Sequence, residues 1–264
     1  MIRGSVIKDP SLAPEGHRKI GWVAQHAPVL NKIAGEQLAD GSLRGRKIAM
    51  TIHLEAKTAY LAILLSEAGA DVTVSGSNPL STQDDVCAAL AERGVRVFAT
   101  HDPSDEDFEG YLHQTIETGP DLIVDDGAEL VGRLIEHYPN LVGDVVGASE
   151  ETTTGVTKLK AMTAEGVLPF PFLAANDARM KHLFDNRYGT GHSSIVALLS
   201  NTNLFLSGKA VVVMGFGWVG RGLAKYADGL GARVIVCEPD PVKLLEAYSE
   251  GNEVMNSLQA AEVG

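Results

Sequence analysis

Residues 210–220 read Ala-Val-Val-Val-Met-Gly-Phe-Gly-Trp-Val-Gly, and this stretch decides the fold of the second part of the chain. An apolar strand runs into Gly215, Gly217 and Gly220, and a helical pattern follows as far as Leu230. The first glycine permits a tight turn, the second lets the backbone approach a pyrophosphate, and the third lets helix and strand pack closely. The pattern therefore predicts a dinucleotide-binding turn at a helix N-terminus.

An acidic residue at the end of the next strand extends this motif. Glu238 follows the apolar run Arg233–Cys237, at about the 20-residue distance expected of a ribose-binding carboxylate. Its charge would repel a 2′-phosphate, so NAD is favoured over NADP. Only two strands are predicted after Lys209, too few to bury a core. We therefore expect either a fragment or elements that pack against the first domain or another subunit.

The preceding part of the chain alternates apolar runs with amphipathic helical patterns. Near-continuously apolar strands between such helices predict a parallel sheet covered on both faces. The predicted strands are Lys47–Ile52, Asp71–Val74, Val95–Ala99, Leu122–Val124, Val145–Ala148 and Val167–Leu173. The predicted helices are Leu12–Leu38, Ala56–Glu67, Gln83–Glu92, Glu106–Glu117, Leu130–His137, Val156–Ala164 and Ile195–Leu206. We expect an α/β protein with a parallel-sheet domain at 1–190 and an incomplete Rossmann-type domain at 191–264.

Charge and composition argue against several classes of partner. Lys and Arg total 22 against 34 Asp and Glu, which gives a net charge of −12, so nucleic acid and anionic membrane surfaces are disfavoured. No apolar run approaches the ~20 residues of a membrane helix, and the first residues lack the apolar core of a signal peptide. Cys87 and Cys237 lack metal-ligand spacing, so we expect free thiols, no metal site and a cytoplasmic protein.

Polar clusters follow four of the predicted strands. Because the carboxyl ends of parallel strands form the ligand edge of an open sheet, these clusters are expected to line one site. They are His53 with Glu55, Ser75–Asn78, Asp125–Gly127 and Ser149–Gly155. Lys181 and Asp185 are four residues apart, which makes them neighbours on a helix. A surface ion pair and a lysine tuned for proton transfer both fit that spacing.

Taken together, these segments resemble S-adenosylhomocysteine hydrolases. The segments that carry the resemblance are IHLEAKTA with His53, SNPLSTQD from Ser77, DDG from Asp125, SEETTTGV from Ser149, KHLFDNRYG from Lys181, and the GFGWVG turn with Glu238. They follow the family's order and roughly its spacing, from near Asp9 to about Val254. The resemblance implies a substrate-binding α/β domain, a nucleoside as the small-molecule substrate, NAD as the cofactor, and a homo-oligomer (dimer or tetramer).

The resemblance also implies a reaction, the hydrolysis of S-adenosylhomocysteine or S-inosylhomocysteine with NAD bound throughout. NAD takes hydride from the ribose C3′, and the resulting ketone acidifies the C4′ proton. Abstraction of that proton lets homocysteine leave from C5′; water then adds and the hydride is returned.

Catalytic roles carry over by position. The resemblance makes Lys181 the base for the 3′-hydroxyl, held by Asp185 and Asn186. Asp126 with His53 would serve acid–base chemistry near C4′ and C5′.

Binding roles carry over in the same way, and the implied catalytic set includes Glu151, which would bind the ribose hydroxyls. The implied substrate contacts are His53, Glu55, Lys57, Ser77, Asp126, Glu151, Lys181 and Asp185. The implied NAD contacts are Thr152, Thr153, Thr154 and Asn186, and in the turn Gly215, Gly217, Trp218, Val219, Gly220 and Glu238.

Several positions depart from the common family pattern. Glu55 stands where many members have threonine, and Lys57 where many have an acidic or amide residue facing the purine; both resemble the archaeal-type branch. A lysine can only donate hydrogen bonds, which suits the oxo group of hypoxanthine better than the amino group of adenine. Thr190 replaces a cysteine, and Trp218 replaces a small or acidic residue for no reason visible in the sequence.

Two other functions fit the same motifs. The 3′-keto chemistry could expel water from another nucleoside, as in a dehydratase or hydratase, because the motifs handle the ribose and not the leaving group. A non-catalytic nucleoside-binding relative is the second alternative.

The family's later histidines, the rest of its cofactor domain and its C-terminal tail are absent from these 264 residues. The chain alone is therefore expected to bind NAD poorly.

Overall fold

The computed structural model describes residues 4–263. Contacts divide the chain into two compact units, with the division between Asn176 and Asp177. The predicted boundary at residue 190 lies further along, because the helical segment Lys181–Thr190 packs against the helix Trp218–Gly229 and so joins the second unit. Among the described residues, no helix is both long and apolar enough to span a membrane.

The first unit is built on a six-stranded sheet in which every pairing is parallel. The strands are β1 (Lys47–Ile52), β2 (Asp71–Gly76), β3 (Arg96–Phe98), β4 (Leu122–Asp125), β5 (Gly147–Glu150) and β6 (Phe172–Ala174). The parallel sheet predicted from the apolar runs is confirmed. The run predicted from Val167 becomes a strand only at Phe172, because Pro169 and Pro171 have no N–H for a sheet ladder.

In the described part of the first unit, seven α-helices accompany this sheet. They are α1 (Ala13–His26), α2 (Pro28–Gln37), α3 (Ala56–Glu67), α4 (Asp84–Glu92), α5 (Asp105–Ile116), α6 (Glu129–His137) and α7 (Thr153–Ala164). The single helix predicted over Leu12–Leu38 is two helices, because Pro28 restricts Ala27 to non-helical angles (φ −114°, ψ 58°).

Two apolar clusters hold these helices on the sheet. One joins α1, α3 and α4 to the sheet around Met50 and Leu90; the other joins α5, α6 and α7 to it around Ile123 and Leu130. These four side chains are fully buried, and each such burial contributes about 1.5–3 kcal/mol. Helices therefore pack on both faces of the sheet, as the sequence predicted.

The strand order positions the ligand edge of the first unit. The order is β3-β2-β1-β4-β5-β6, so the chain builds outward from β1 in one direction and then from β4 in the other. A doubly wound sheet opens a crevice at the carboxyl ends of the two strands where its order reverses. Those strands are β1 and β4, and the polar residues that follow them lie at this crevice.

The second unit has its own smaller parallel sheet. Its elements are the π-helical segment Lys181–Thr190, α8 (Gly191–Thr202), β7 (Ala210–Met214), α9 (Trp218–Gly229), β8 (Arg233–Cys237), α10 (Pro241–Ser249), β9 (Glu253–Val254) and α11 (Ser257–Ala261). The strand order is β7-β8-β9. The helix predicted to reach Leu206 ends at Thr202, because Asn203 adopts a left-handed φ of +54°.

The prediction of only two strands here was wrong. Glu253 and Val254 add a third strand beside β8, which the apolar pattern missed because this strand is two residues long. The unit also buries a core of its own, with Phe216 fully buried and Val213 and Val236 packed in the same cluster. Both cysteines are free, as predicted, and both are buried.

Gly222 tests the packing of α9 against the π-helical segment. A Cβ at this position would overlap the carbonyl oxygen of Arg187, whereas a Cβ at Gly229 on the same helix would meet nothing within 4 Å. We expect Gly222→Ala to lower the free energy of unfolding of the second unit by about 1–3 kcal/mol through overpacking. Gly229→Ala is the matched control, and urea-induced unfolding compares the two. Equal stability of the two variants would contradict this packing.

Candidate functional site

Three predicted site residues meet at the crevice between β1 and β4. Ser77 follows β2, and its hydroxyl donates a hydrogen bond of 2.7 Å to Oδ2 of Asp126, which follows β4. His53 follows β1, and its Nε2 lies 3.7 Å from the same Oδ2. The other ring nitrogen, Nδ1, hydrogen-bonds the Ser81 hydroxyl at 2.6 Å. An imidazole and a carboxylate held this close can move protons at the crevice.

His53 and Asp126 differ in their exposure to solvent. The Asp126 side chain is 12% exposed, whereas that of His53 is 54% exposed. The carboxylate is therefore set into the wall of the crevice, and the imidazole is accessible at its surface. This arrangement allows the Asp126 carboxylate to contact a bound ligand, while the His53 imidazole is open to exchange of protons with water.

Two buried carboxyl groups lie behind Asp126, and sequence reasoning gave them no role. Asp125 ends β4 and Glu150 ends β5; both are fully buried and paired across the sheet. Each is the first member of an acidic doublet and lies two residues after a buried residue of its strand, Ile123 or Ala148. That period of two was the available signal, because it directs the first acid of each doublet inward.

Burial dominates the protonation of these two groups. Loss of water raises the pKa of Asp125 from 3.8 to about 7, although backbone N–H donors, led by that of Val131, oppose the shift. The charge of Glu150 raises it further. Burial also raises the pKa of Glu150, against N–H donors led by that of Thr152. Two neighbouring carboxyl groups out of water disfavour a second negative charge.

Glu55 and Lys57 lie at the start of α3. The Glu55 carboxylate accepts hydrogen bonds from the backbone N–H groups of Lys57 (3.1 Å) and Thr58 (3.3 Å), so it caps the helix. The Lys57 ammonium is 3.9 Å from that carboxylate and strongly exposed. Both residues line a cavity of about 430 Å³ together with Trp22 and Gln83. Lys57 is thus an exposed cation beside a cavity large enough for a ring system, and Arg18 and Lys19 line the same cavity.

The three threonines open α7 directly after β5. Thr152 is the N-cap residue, yet its side chain makes no capping hydrogen bond. The Thr153 hydroxyl donates to Oδ1 of the buried Asn176 at 3.3 Å. The preceding residue, Glu151, is tied to β4 because its backbone N–H donates to the carbonyl of Asp125 at 2.9 Å. The predicted nicotinamide contacts therefore stand at a helix N-terminus without a side-chain cap.

The remaining predicted catalytic residues lie in the second unit. Lys181, Asp185 and Asn186 share the π-helical segment, where the sequence predicted ordinary helical spacing. A π-helical turn is wider than an α-helical turn, and such turns are frequent at functional sites.

The glycine turn has the backbone geometry that NAD requires. Gly215 adopts a φ of +94°, a left-handed angle that favours glycine. A Cβ at Gly220 would overlap the carbonyl oxygen of Gly215, so helix and turn approach each other closely. Gly217 is the N-cap of α9 without a side-chain cap, and a Cβ there would meet nothing within 4 Å. These residues leave a bare helix N-terminus beside open space, which fits a pyrophosphate.

Glu238 is fixed against this turn. Its Oε2 accepts the backbone N–H of Phe216 at 2.6 Å, and its Oε1 accepts that of Asp240 at 3.0 Å. These two donors hold the pKa of Glu238 below its usual value. The carboxylate is therefore ionised and anchored against the glycine turn.

The Trp218 indole, at the start of α9, contacts two other side chains of the second unit. Its ring centroid is 4.8 Å from that of His182, and the Arg221 guanidinium lies 4.8 Å over the indole. Arg221 in turn forms an ion pair with Glu246. The indole thus joins the first turn of α9 to the π-helical segment through aromatic and cation–π contacts.

Comparison with known proteins identifies related sequences. Residues 5–137 and 132–212 match the model of the S-adenosyl-L-homocysteine hydrolase family, and residues 186–263 match that of its NAD-binding domain. Thus NAD is the cofactor of the second unit. The match to the NAD-binding domain lies within the second unit and overlaps the end of the first match.

Relatives with curated names match almost the whole chain. An adenosylhomocysteinase of Thermococcus kodakarensis is 49% identical over 258 residues, which cover 98% of this chain and 61% of that protein. An S-inosyl-L-homocysteine hydrolase of Methanopyrus kandleri is 50% identical over 258 residues, with the same two coverages. An adenosylhomocysteinase of Thermotoga maritima is 50% identical over 248 residues, 94% of this chain and 61% of the relative. The chain thus spans about 61% of the length of these relatives.

The raised pKa of Asp125 predicts a pH dependence of stability. Between pH 3.8 and about pH 7, the Asp125 carboxyl group keeps its proton in the folded protein, whereas the same group in the unfolded chain has released its proton. Its contribution is therefore complete below 3.8 and is lost as the pH rises through about 7. Relative to Asp125→Asn, we expect the wild-type free energy of unfolding to fall by up to about 4 kcal/mol over that range. Urea unfolding at a series of pH values measures this, and parallel curves would contradict it.

Proposed function

This chain belongs to the S-adenosyl-L-homocysteine hydrolase family, and we propose that it carries the nucleoside-binding and NAD-binding machinery of such an enzyme. The proposed reaction is the hydrolysis of S-adenosyl-L-homocysteine, or its S-inosyl counterpart, through 3′-oxidation and 4′,5′-elimination. The observation that carries the proposal is the meeting of His53, Ser77 and Asp126 at the reversal of the strand order.

The proposed roles divide between oxidation and elimination. Bound NAD supplies the hydride acceptor for C3′ and returns the hydride at the end of the cycle. Lys181 takes the proton of the 3′-hydroxyl, and Asp185 and Asn186 hold its ammonium group. Asp126 takes the C4′ proton, which the 3′-ketone makes acidic. His53, accessible to water and near Asp126, gives a proton to the leaving sulfur and later orients the attacking water.

The proposed binding roles divide between the nucleoside and NAD. Glu151 accepts hydrogen bonds from the ribose hydroxyls, and Glu55 and Lys57 face the purine. The nicotinamide end of NAD contacts Thr152, Thr153, Thr154 and Asn186. Its other half contacts Gly215, Gly217, Trp218, Val219, Gly220 and Glu238. An uncapped α7 and an uncapped α9 support the two NAD contacts.

We also propose that the protein acts as a cytoplasmic homo-oligomer without nucleic-acid partners. The net charge of −12 opposes contact with phosphate backbones. The second unit exposes large apolar side chains, which favour a covering protein surface. They include Phe205, Val242, Leu245, Tyr248 and Leu258.

Lys181 provides the direct test of the proposed activity. In purified protein loaded with NAD, we expect added nucleoside to reduce the bound cofactor, and Lys181→Ala to slow this reduction about 10²–10⁴-fold because the 3′-hydroxyl loses its base. Lys225→Ala, an exposed lysine of α9, is the control and should behave as wild type. Absorbance of the reduced nicotinamide reports the step, and unimpaired reduction in Lys181→Ala would refute this role.

Product analysis separates the alternative functions in the same preparation. Release of homocysteine from S-adenosyl- or S-inosylhomocysteine supports the hydrolase. Loss of water from a nucleoside with a 5′-hydroxyl, without thioether cleavage, indicates a dehydratase. Tight nucleoside binding with no reduction of NAD indicates a non-catalytic relative.

Lys57 provides a test of purine choice. Because its ammonium only donates hydrogen bonds, it favours the O6 acceptor of hypoxanthine over the N6 amino group of adenine. We expect Lys57→Gln to weaken inosine binding relative to adenosine binding by about tenfold, which is about 1.4 kcal/mol. Calorimetric titration with both nucleosides measures the ratio, with the exposed Lys32→Gln as control. An unchanged ratio would remove Lys57 from purine recognition.

A further inference from the structure

The loop that carries Asp126 is held by two buried carboxyl groups. All six consecutive backbone N–H groups from residue 126 to residue 131 donate to one or the other of them. Asp125 accepts those of Asp126 (3.0 Å), Glu129 (3.2 Å), Leu130 (3.2 Å) and Val131 (2.9 Å). Glu150 accepts those of Gly127 (2.8 Å) and Ala128 (3.0 Å), and also that of Thr152 (2.9 Å).

Strand pairing puts the two carboxyl groups side by side. Asp125 and Glu150 are direct partners in the parallel register of β4 and β5, and both are fully buried. The first turn of α7 passes directly over Glu150, since a Cβ at Gly155 would overlap its carboxyl group. Neither group can turn to water, so their oxygens are committed to these N–H donors.

The loop would not adopt this conformation unaided. Gly127 has a φ of +87°, and Ala128 follows with a φ of +56°, a left-handed angle that is costly for a residue with a Cβ. Such angles persist where the surroundings over-determine the backbone. Here Glu150 takes the N–H groups of both left-handed residues, and Asp125 takes those on either side of them.

We propose that Asp125 and Glu150 are positioning residues for Asp126. They fix the backbone of residues 126–128 so that the Asp126 carboxylate reaches Ser77 and stands beside His53. The inference rests on the proposed function, in which Asp126 takes the C4′ proton. It assigns a role to the two acids of the DDG and SEETTTG motifs that the proposed chemistry leaves unused.

A purely structural role for the two acids makes a different prediction. Loss of stability alone would impair every step that the protein performs. Loss of positioning would impair the C4′ step, which uses Asp126, and spare the 3′-oxidation, which uses Lys181. The two steps are measured separately on one sample, by reduction of bound NAD and by exchange of the C4′ hydrogen with heavy water.

The variants are Glu150→Gln and Asp125→Asn, with Asp126→Asn as the reference for a lost base. Each substitution keeps the shape but replaces one accepting oxygen by an amino group, which cannot accept an N–H donor. The matched control is Asp121→Asn, because Asp121 accepts the N–H of Lys47 (2.8 Å) at the opposite end of β4. We expect Glu150→Gln and Asp125→Asn to slow C4′ exchange about a hundredfold while NAD reduction stays near wild type. Asp121→Asn should leave both rates unchanged.

Amide hydrogen exchange tests the positioning without any turnover. In the full chain, Glu150→Gln should speed the exchange of the Gly127 and Ala128 N–H groups by at least about tenfold, while the core amides of β1 keep their protection. Asp125→Asn should act in the same way on Leu130 and Val131. Unchanged protection at these amides would overturn the proposal.

Each kinetic outcome either supports or contradicts the positioning role of Asp125 and Glu150. Selective loss of C4′ exchange, matching Asp126→Asn, supports positioning. An equal loss of both steps, or no loss, overturns it. If wild-type protein shows no NAD reduction with any nucleoside, the proposed function fails, and the amide exchange decides on its own whether the two carboxyl groups hold the loop.

Discussion

The parallel pairing of β1 with β4 is the constraint on which the rest of the first unit depends. These strands are separated by about 70 residues of sequence, yet Ile48, Ala49 and Met50 pair directly with Leu122, Ile123 and Val124. Every other strand extends outward from this pair, and the residues that follow β1 and β4 must come together at one edge. His53 and Asp126 are therefore neighbours as a consequence of topology, before any contact between their side chains is considered. Ser77 joins them because β2 pairs with β1 in the same direction.

Carboxyl groups play opposite parts at this edge according to their exposure. Asp126 lies at the crevice and can contact a ligand. Asp125 and Glu150 are buried, and their carboxyl oxygens accept hydrogen bonds from backbone N–H groups. Glu55 does the same at the start of α3 with part of its side chain in water. The helices that the family resemblance places near NAD, α7 and α9, have no side-chain cap at all.

The sequence predicted the elements whose signal is local. The glycine turn, the strand before it and Glu238 all appear where the motif requires, because their geometry depends on a few neighbouring residues. The polar clusters at the strand ends were likewise visible. Three features were not: β9, which has too few residues for a period; the π-helical segment, whose hydrogen-bond pattern leaves no mark on side-chain spacing; and the order of the strands, which long-range pairing decides. Asp125 and Glu150 were hidden inside doublets whose second members attracted the functional interpretation.

The position of Trp218 gives the second unit a built-in optical signal. The chain has two tryptophans, Trp22 in α1 of the first unit and Trp218 in the first turn of α9. The indole of Trp218 is held by His182 and Arg221 directly after the dinucleotide turn. Its emission overlaps the absorption of reduced nicotinamide, so excitation energy can pass from this ring to a nearby reduced cofactor. The fluorescence of Trp218 therefore reports whether reduced cofactor occupies the second unit, whereas Trp22 lines the cavity beside Lys57 in the first unit.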